Sequence, residues 1–307
     1  MTKRHLSTLP VRFALAATAI ALVAAGCSSS DSGGSGGGGG DKTITIGAVD
    51  GWTDETGTAF LLANILEKKG YKVDVKHFAD LAPVFAGMAN KDIDIMSSAW
   101  PDRTQKSYMD KYGSKLESLA TYNASARLFL AVPTYSKIKS IEDLPSNAGE
   151  FDKTVVGIEP GAGLTKLTKD TVFPDYGLDK GFKLQLSSTA AMLTELKKAT
   201  EAKKDIVVTL WSPFWANQAF PVRALEDPKK AFGEAETMQT MAYKGFSKDH
   251  PEVANMISHF KLNDEQYGTL ENTIVNKVDT GEEAKAVEMW LKANPDYAPN
   301  LEKYLKK

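Results

Sequence analysis

Ile206-Val207-Val208-Thr209-Leu210-Trp211-Ser212-Pro213-Phe214-Trp215 is the stretch whose reading decides the fold. A short apolar run rich in β-branched residues reads as a buried parallel strand. Pro213 stops it, because proline cannot donate to a sheet ladder. Two tryptophans stand where the strand gives out. The same pattern occurs twice earlier. Ile44 to Val49 is strand-like, stops at Asp50-Gly51, and is followed by Trp52. Ile93 to Met96 is strand-like and is followed by Trp100-Pro101. Of the chain's five tryptophans only Trp290 lies away from such a strand end.

Ligands of open α/β sheets bind outside the carboxyl ends of the strands. A lone Trp there is most simply core under a loop. The same placement on three strands favours a shared cleft instead. A cage of indoles offers π faces to a cation that cannot hydrogen-bond, such as a quaternary ammonium, at up to roughly 2 kcal/mol per desolvated contact.

Working outward, strand and helix alternate. Thr53 opens a helix whose inward stripe is Ala59, Leu62, Ala63 and Leu66, and Gly70 closes it. Tyr71–His77 reads as a strand and Val84–Ala89 as a short helix. Leu128–Val132 is a further strand closed by Pro133. A second series follows: a helix near Ile141, strand Thr154–Ile158, helix Leu164–Phe173, strand Phe182–Leu186, helix Ala190–Thr200 and the Ile206 strand. The tail from Pro251 is helical, with Val287, Trp290 and Leu291 on one face. Such alternation predicts parallel sheets with right-handed crossovers.

Gly157-Ile158-Glu159-Pro160-Gly161-Ala162-Gly163 lies between a strand and a helix. Glycines there allow close backbone approach, and a helix start offers free amides to an anion. No Gly-Lys-Ser/Thr follows, so it is not a phosphate loop, and Lys166 stands at the third glycine slot of a dinucleotide fingerprint. No cofactor is expected. Alone the turn reads as an ordinary one; beside an aromatic cage, cation and anion sites describe a zwitterion such as a betaine. Glu159 itself reads as a solvated turn residue.

The amino terminus carries Lys3, Arg4 and Arg12, then an apolar run from Phe13 to Ala25. That is a secretory signal pattern, expected to span residues 1–26. It ends before Cys27, the only cysteine. The site looks like a lipoprotein cleavage site, with Ala24 where Leu is usual, so Cys27 is expected to carry a lipid. Ser28 to Gly40 is a Gly/Ser tether of roughly 20 Å reach. Residues 27–40 thus serve as anchor and tether. Residues 1–26 hold three basic and no acidic side chains, so the net charge of −2 becomes −5 for the rest. A mildly acidic body argues against nucleic-acid binding. The remaining chain has no further apolar run long enough for a membrane helix.

These stretches resemble the substrate-binding lipoproteins of ABC importers for glycine betaine, proline betaine, choline and carnitine. The likeness rests on Gly51-Trp52-Thr53-Asp54-Glu55, Ala99-Trp100-Pro101, Gly157 to Gly163, Val208 to Trp215 and Leu225-Glu226-Asp227-Pro228. It implies a two-lobed α/β fold of the type II periplasmic-binding-protein kind. Each lobe would be a mainly parallel sheet flanked by helices, the two joined by crossing strands. Residues 41–125 and 238–307 would form lobe 1 and residues 126–237 lobe 2. Carried over, Trp52, Trp100 and Trp211 form the ammonium cage, with Trp215 beside them. Backbone amides around Gly157, Ile158, Gly161, Ala162 and Gly163 take the carboxylate. Asp54 matches the acid that meets choline's hydroxyl in the choline-binding branch. Equally, it can simply favour the start of its helix.

Two departures matter. Many glycine betaine binders place a His five residues after the tryptophan matched by Trp100; here the slot holds Gln105. The pattern Trp-x-Pro-His-Trp has Phe214 in place of its His. Gln105 and Asp54 weaken the glycine betaine reading, and the Gly-rich turn strengthens it. Glycine betaine stays ahead of choline or carnitine.

Phe129 and Tyr122 could complete the cage, but core is the simpler expectation, and Arg103 is expected at the surface. His77, His250 and His259 share no metal-ligand spacing and no nucleophile partner, so neither a metal nor an enzyme is expected. The expected protein is a monomeric receptor lipid-anchored on the extracytoplasmic face of the cell membrane. Its permease and ATPase would be separate chains. A lipoprotein sensor or scaffold, which needs no cage, is the remote alternative.

Overall fold

Strand β1 (Thr43–Val49) is the inner strand of the first half of the sheet. Its burial alternates until Gly47 and is then continuous, as a strand covered on both faces requires. Parallel to it lie β2 (Lys72–Phe78) on one side and β3 (Ile95–Ala99) on the other. The computed structural model describes residues 42–305. The expected signal segment, Cys27 and the expected Gly/Ser tether lie outside the described residues.

Helix α1 (Thr53–Glu67) connects β1 to β2, and α2 (Leu81–Asn90) connects β2 to β3. The expected stripe of α1 is buried, but so are Leu61 and Ile65 on its other side. The reason is a second helical layer, Asp264–Asn276 and Glu283–Ala293, which covers the face of α1 turned away from the sheet. Val287, Trp290 and Leu291 are buried as the tail pattern predicts. Helix α3 (Lys106–Tyr112) follows β3.

Strand β4 runs for 18 residues, Leu116–Pro133. Only its apolar end, Leu128–Val132, is legible in the sequence. The earlier part is polar and half-exposed, and it is held by pairing with β9 (Glu236–Tyr243) rather than by burial alone. Beyond Ala126 the same strand pairs with β7 (Val207–Ser212) and then β8 (Val222–Ala224). β7 is flanked in parallel by β5 (Thr154–Val156), and β5 by β6 (Lys183–Gln185). The strand order is β2-β1-β3-β9-β4-β7-β5-β6, with β8 on β4.

Every antiparallel pairing involves β4 or β9. The parallel pairings lie outside them, β1 with β2 and β3, β5 with β6 and β7. The sheet is therefore two parallel βα halves connected through β4 and β9. The expected helix near Ile141 is a single tight turn, Ile141–Asp143. The expected helix Leu164–Phe173 begins as α4 (Gly163–Leu167) and widens into a π turn at Thr168–Val172. No helix among the described residues is long and apolar enough to cross a membrane.

Candidate functional site

Each parallel half sends its strand ends towards the same hollow. Trp52 is the residue before α1, positioned by the Asp50-Gly51 turn in which Gly51 takes φ +80°. Trp100 follows β3 directly. Trp211 belongs to β7 itself, directly across the ladder from Leu128 of β4. The three tryptophans line one small hollow together with Asp54, Gln105 and Ile158. Ala162 and Gly163 of the Gly-rich turn line it as well. Eight of the residues singled out in the sequence are thus brought together.

Three are not. Trp215 stands away from the hollow. Its ring meets Phe214 edge-on at 5.8 Å and Phe220 at 5.8 Å, in a groove beside the helix Asp264–Asn276. Phe214 takes the inner place and stacks on Trp211 at 4.0 Å. Gly157 donates its amide to Gln185 O at 2.8 Å, so it is spent on the ladder towards β6. Gly161 donates its amide to Asp80 Oδ2 at 3.0 Å, and its carbonyl accepts from the Tyr108 hydroxyl at 2.8 Å. An aspartate at the start of α2 therefore already occupies the anion slot expected at Gly161.

Thr104, Leu128 and Leu164 line the hollow and were not singled out. Leu128 belongs to the apolar run read as a strand, while its neighbour Phe129 is half-buried and does not line the hollow. Thr104 carried no signal in the sequence. Its carbonyl lies 1.8 Å from where a Cβ on Gly163 would stand. Glycine at 163 is what lets the α3 side of the sheet approach the start of α4. The amides of Gly163 and Leu164 open that helix, before any intrahelical acceptor is in reach.

The polar floor comes from α1. Asp54 is buried, and its Oδ2 accepts from Ser98 Oγ at 2.6 Å and from Trp100 Nε1 at 3.2 Å. The Tyr122 hydroxyl donates to Ser98 Oγ at 2.7 Å, so Tyr122 is core that backs the site rather than a cage wall. Burial pushes the Asp54 carboxyl up, and the donors Ser98 and Trp100 pull it partly back. Glu55 beside it is pushed well up, by burial first and by the Asp54 charge second. Its Oε2 accepts from Val49 N at 2.8 Å. Gln105 is buried and accepts through Oε1 from Trp100 N at 2.9 Å, which keeps its amide nitrogen as the donor end.

Glu159 is not solvated; it is 3% exposed. Its carboxylate turns inward onto Thr189 and onto the Trp52 indole, 3.0 Å from Nε1. Arg103 is likewise more than a surface residue. Its guanidinium donates to the carbonyls of Phe232 and Glu234 at 2.9 and 2.8 Å, tying the Trp100 loop to the approach of β9.

Residues 42–293 match the family described as the substrate binding domain of ABC-type glycine betaine transport systems. The chain belongs to this family of substrate-binding domains. Among proteins similar to this family member is the glycine betaine/carnitine transport binding protein GbuC of Listeria monocytogenes, 34% identical over 183 residues. That match spans 59% of this chain and 60% of GbuC. Lactococcal OpuAC, solved in its closed-liganded conformation with glycine betaine, is 30% identical. It superposes with a TM-score of 0.78 over 87% of this chain and 100% of its own. An ABC-transporter choline binding protein in complex with choline is 26% identical, with a TM-score of 0.75 over 87% of this chain and 99% of its own. The family's fold is the type II periplasmic-binding-protein fold, in which a substrate-binding domain carries the two sheet halves described above.

Proposed function

We propose that this protein is the extracytoplasmic receptor of an ABC importer for a quaternary-ammonium osmolyte, glycine betaine first. The observation that carries the reading is the meeting of three indoles from separate strand ends around one hollow between the two sheet halves. Indole faces stabilise a methylated ammonium that water and hydrogen-bond donors cannot satisfy well. The opening amides of α4 and the amide end of Gln105 are donors for a carboxylate at the other end. Trp52, Trp100 and Gln105 come from one half, and Trp211 and the opening amides of α4 from the other, so a ligand held by these groups touches both halves and favours closure. Residues 41–125 with 238–307, and residues 126–237, would then act as the two lobes. Cys27 would hold the lipid, with permease and ATPase on other chains and a monomeric receptor that binds without turnover. The solved relatives with glycine betaine and with choline support the ligand class.

Choline is the second reading, favoured by the buried Asp54 carboxyl in the floor of the hollow. Calorimetric titration with glycine betaine, proline betaine, carnitine and choline tests both. Tight binding of glycine betaine supports the first. Tight choline with weak betaine transfers the ligand-end role from the Gly-rich turn to Asp54. Heat from none of the four would end the receptor reading.

A further inference from the structure

A carboxylate withdrawn from water is costly unless donors replace the water. Glu159 finds three. Thr189 N donates to its Oε1 at 2.7 Å, and Thr189 Oγ1 donates to its Oε2 at 2.9 Å. Both come from the same half of the sheet as Glu159, because Thr189 opens the helix that follows β6. The third donor is Trp52 Nε1, on Oε2 at 3.0 Å, and it comes from the loop after β1 in the other half. Thr189 Oγ1 also lies 3.2 Å from the same indole nitrogen. Gly51, beside Trp52, faces Thr189, whose side chain an added Cβ would meet at 3.4 Å, an ordinary contact distance.

An indole has a single polar handle. Once Nε1–H is bound, the ring edge is fixed and its face has one direction. Trp52 lines the hollow, whereas Glu159 does not. We infer that Glu159 is a positioning residue that couples closure of the two sheet halves to completion of the cage. Its carboxylate, anchored on Thr189, takes the Trp52 N–H only when the halves meet, and so aims the Trp52 face at the cation. This rests on the receptor reading above. When the halves part, Glu159 keeps both Thr189 donors, but Trp52 gives its N–H to water and the cage loses a wall. The bond is charge-assisted, which makes it among the stronger ones available to an indole. Ligand residence time thus depends on a residue that never touches ligand.

The test uses the whole protein with glycine betaine and choline, read by calorimetry and by stopped-flow dissociation. Glu159→Ala is expected to speed dissociation at least tenfold, with association within about threefold of the wild type. Glu159→Gln, whose carbonyl can still accept from the indole, recovers part of the loss. Trp52→Phe keeps a π face and removes the N–H. The double variant Trp52→Phe/Glu159→Ala is expected to dissociate no faster than the worse single variant, because both remove one bond. A merely structural role would lower the active fraction and leave the rate of dissociation alone. Unchanged dissociation in Glu159→Ala, or losses that multiply in the double variant, would overturn the coupling. Should Glu159→Ala lose its cooperative melt, Glu159→Gln and Trp52→Phe decide alone. A wild type that binds neither ligand overturns the receptor reading and this coupling together.

Discussion

Trp100 donates its indole N–H to Asp54 Oδ2 at 3.2 Å, although one residue follows β3 and the other sits in the first turn of α1. The same oxygen accepts from Ser98, and Tyr122 stands behind Ser98. The Nε1 edge of the ring is held by buried polar groups, and the residue lines the hollow. Trp52 is held in the same manner by Glu159. Two of the indoles that line the hollow thus share one construction, an Nε1–H held by a buried carboxyl group.

Removing a wall should therefore cost affinity more than stability. Trp100→Ala is expected to weaken glycine betaine binding by more than tenfold, which is about 1.4 kcal/mol. Trp100→Phe keeps an aromatic face but drops the bond to Asp54, and its loss should fall between wild type and alanine. Calorimetry measures both, with a thermal melt to show that each variant folds. An unchanged titration for Trp100→Ala would remove Trp100 from the site.

Closure can be blocked at one atom. A Cβ on Gly163 would lie 1.8 Å from the Thr104 carbonyl oxygen and 2.5 Å from its carbon. Those are backbone atoms, so no rotamer change relieves the clash. Gly163→Ala should fold, since the two sides can stand further apart, yet bind ligand at least tenfold more weakly. Gly149→Ala, with nothing within 4 Å of the added methyl, serves as the control and should bind like the wild type. Scattering profiles with and without saturating ligand give the mechanism. The wild type should contract and Gly163→Ala should not. Equal contraction in both would show that Gly163 is free to carry a side chain.

The meeting of three indoles around one hollow was legible because tryptophan at a strand end is a chemical signal that survives in sequence order. Trp52 and Trp100 stand after their strands, and Trp211 lies within its strand, paired across the ladder with Leu128. The polar supports were not legible for a physical reason. Glu159 and Thr189 are 30 residues apart, and Trp52 and Glu159 are 107 apart, so nothing local marks them as partners. A glutamate in a Gly-rich turn defaults to solvent, and only the fold turns it inward. The long strand β4 escaped notice over Leu116–Ala126 because pairing with β9, rather than an apolar pattern, holds it. Trp215 misled in the opposite sense. It shares the motif of Trp211, but with Phe214 stacked on Trp211 its own ring goes to the groove behind.

Glu271, partner of the Thr53 hydroxyl, should give the protein a pH-dependent stability. It lies on the helix Asp264–Asn276, buried, and receives the Thr53 hydroxyl. Its carboxyl is raised from 4.5 to about 8, by burial first, with the Thr53 hydroxyl pulling it down and the neighbouring Asp54 charge pushing it up. The folded form therefore keeps a proton that the unfolded chain gives up near its ordinary value. Stability from neutral Glu271 is fully present below that ordinary value and is lost as pH climbs through to about 8, at about 1.4 kcal/mol per pH unit. Glu271→Gln is neutral throughout and can still accept from Thr53, so its stability should lack this slope. Urea midpoints for both proteins from about pH 5 to about pH 8 make the comparison, with equal m-values required. The expected result is a wild type that loses ground steadily against Glu271→Gln as pH rises. Parallel curves would mean that Glu271 is already ionised across this range, and that water or an unseen donor reaches it under the cage.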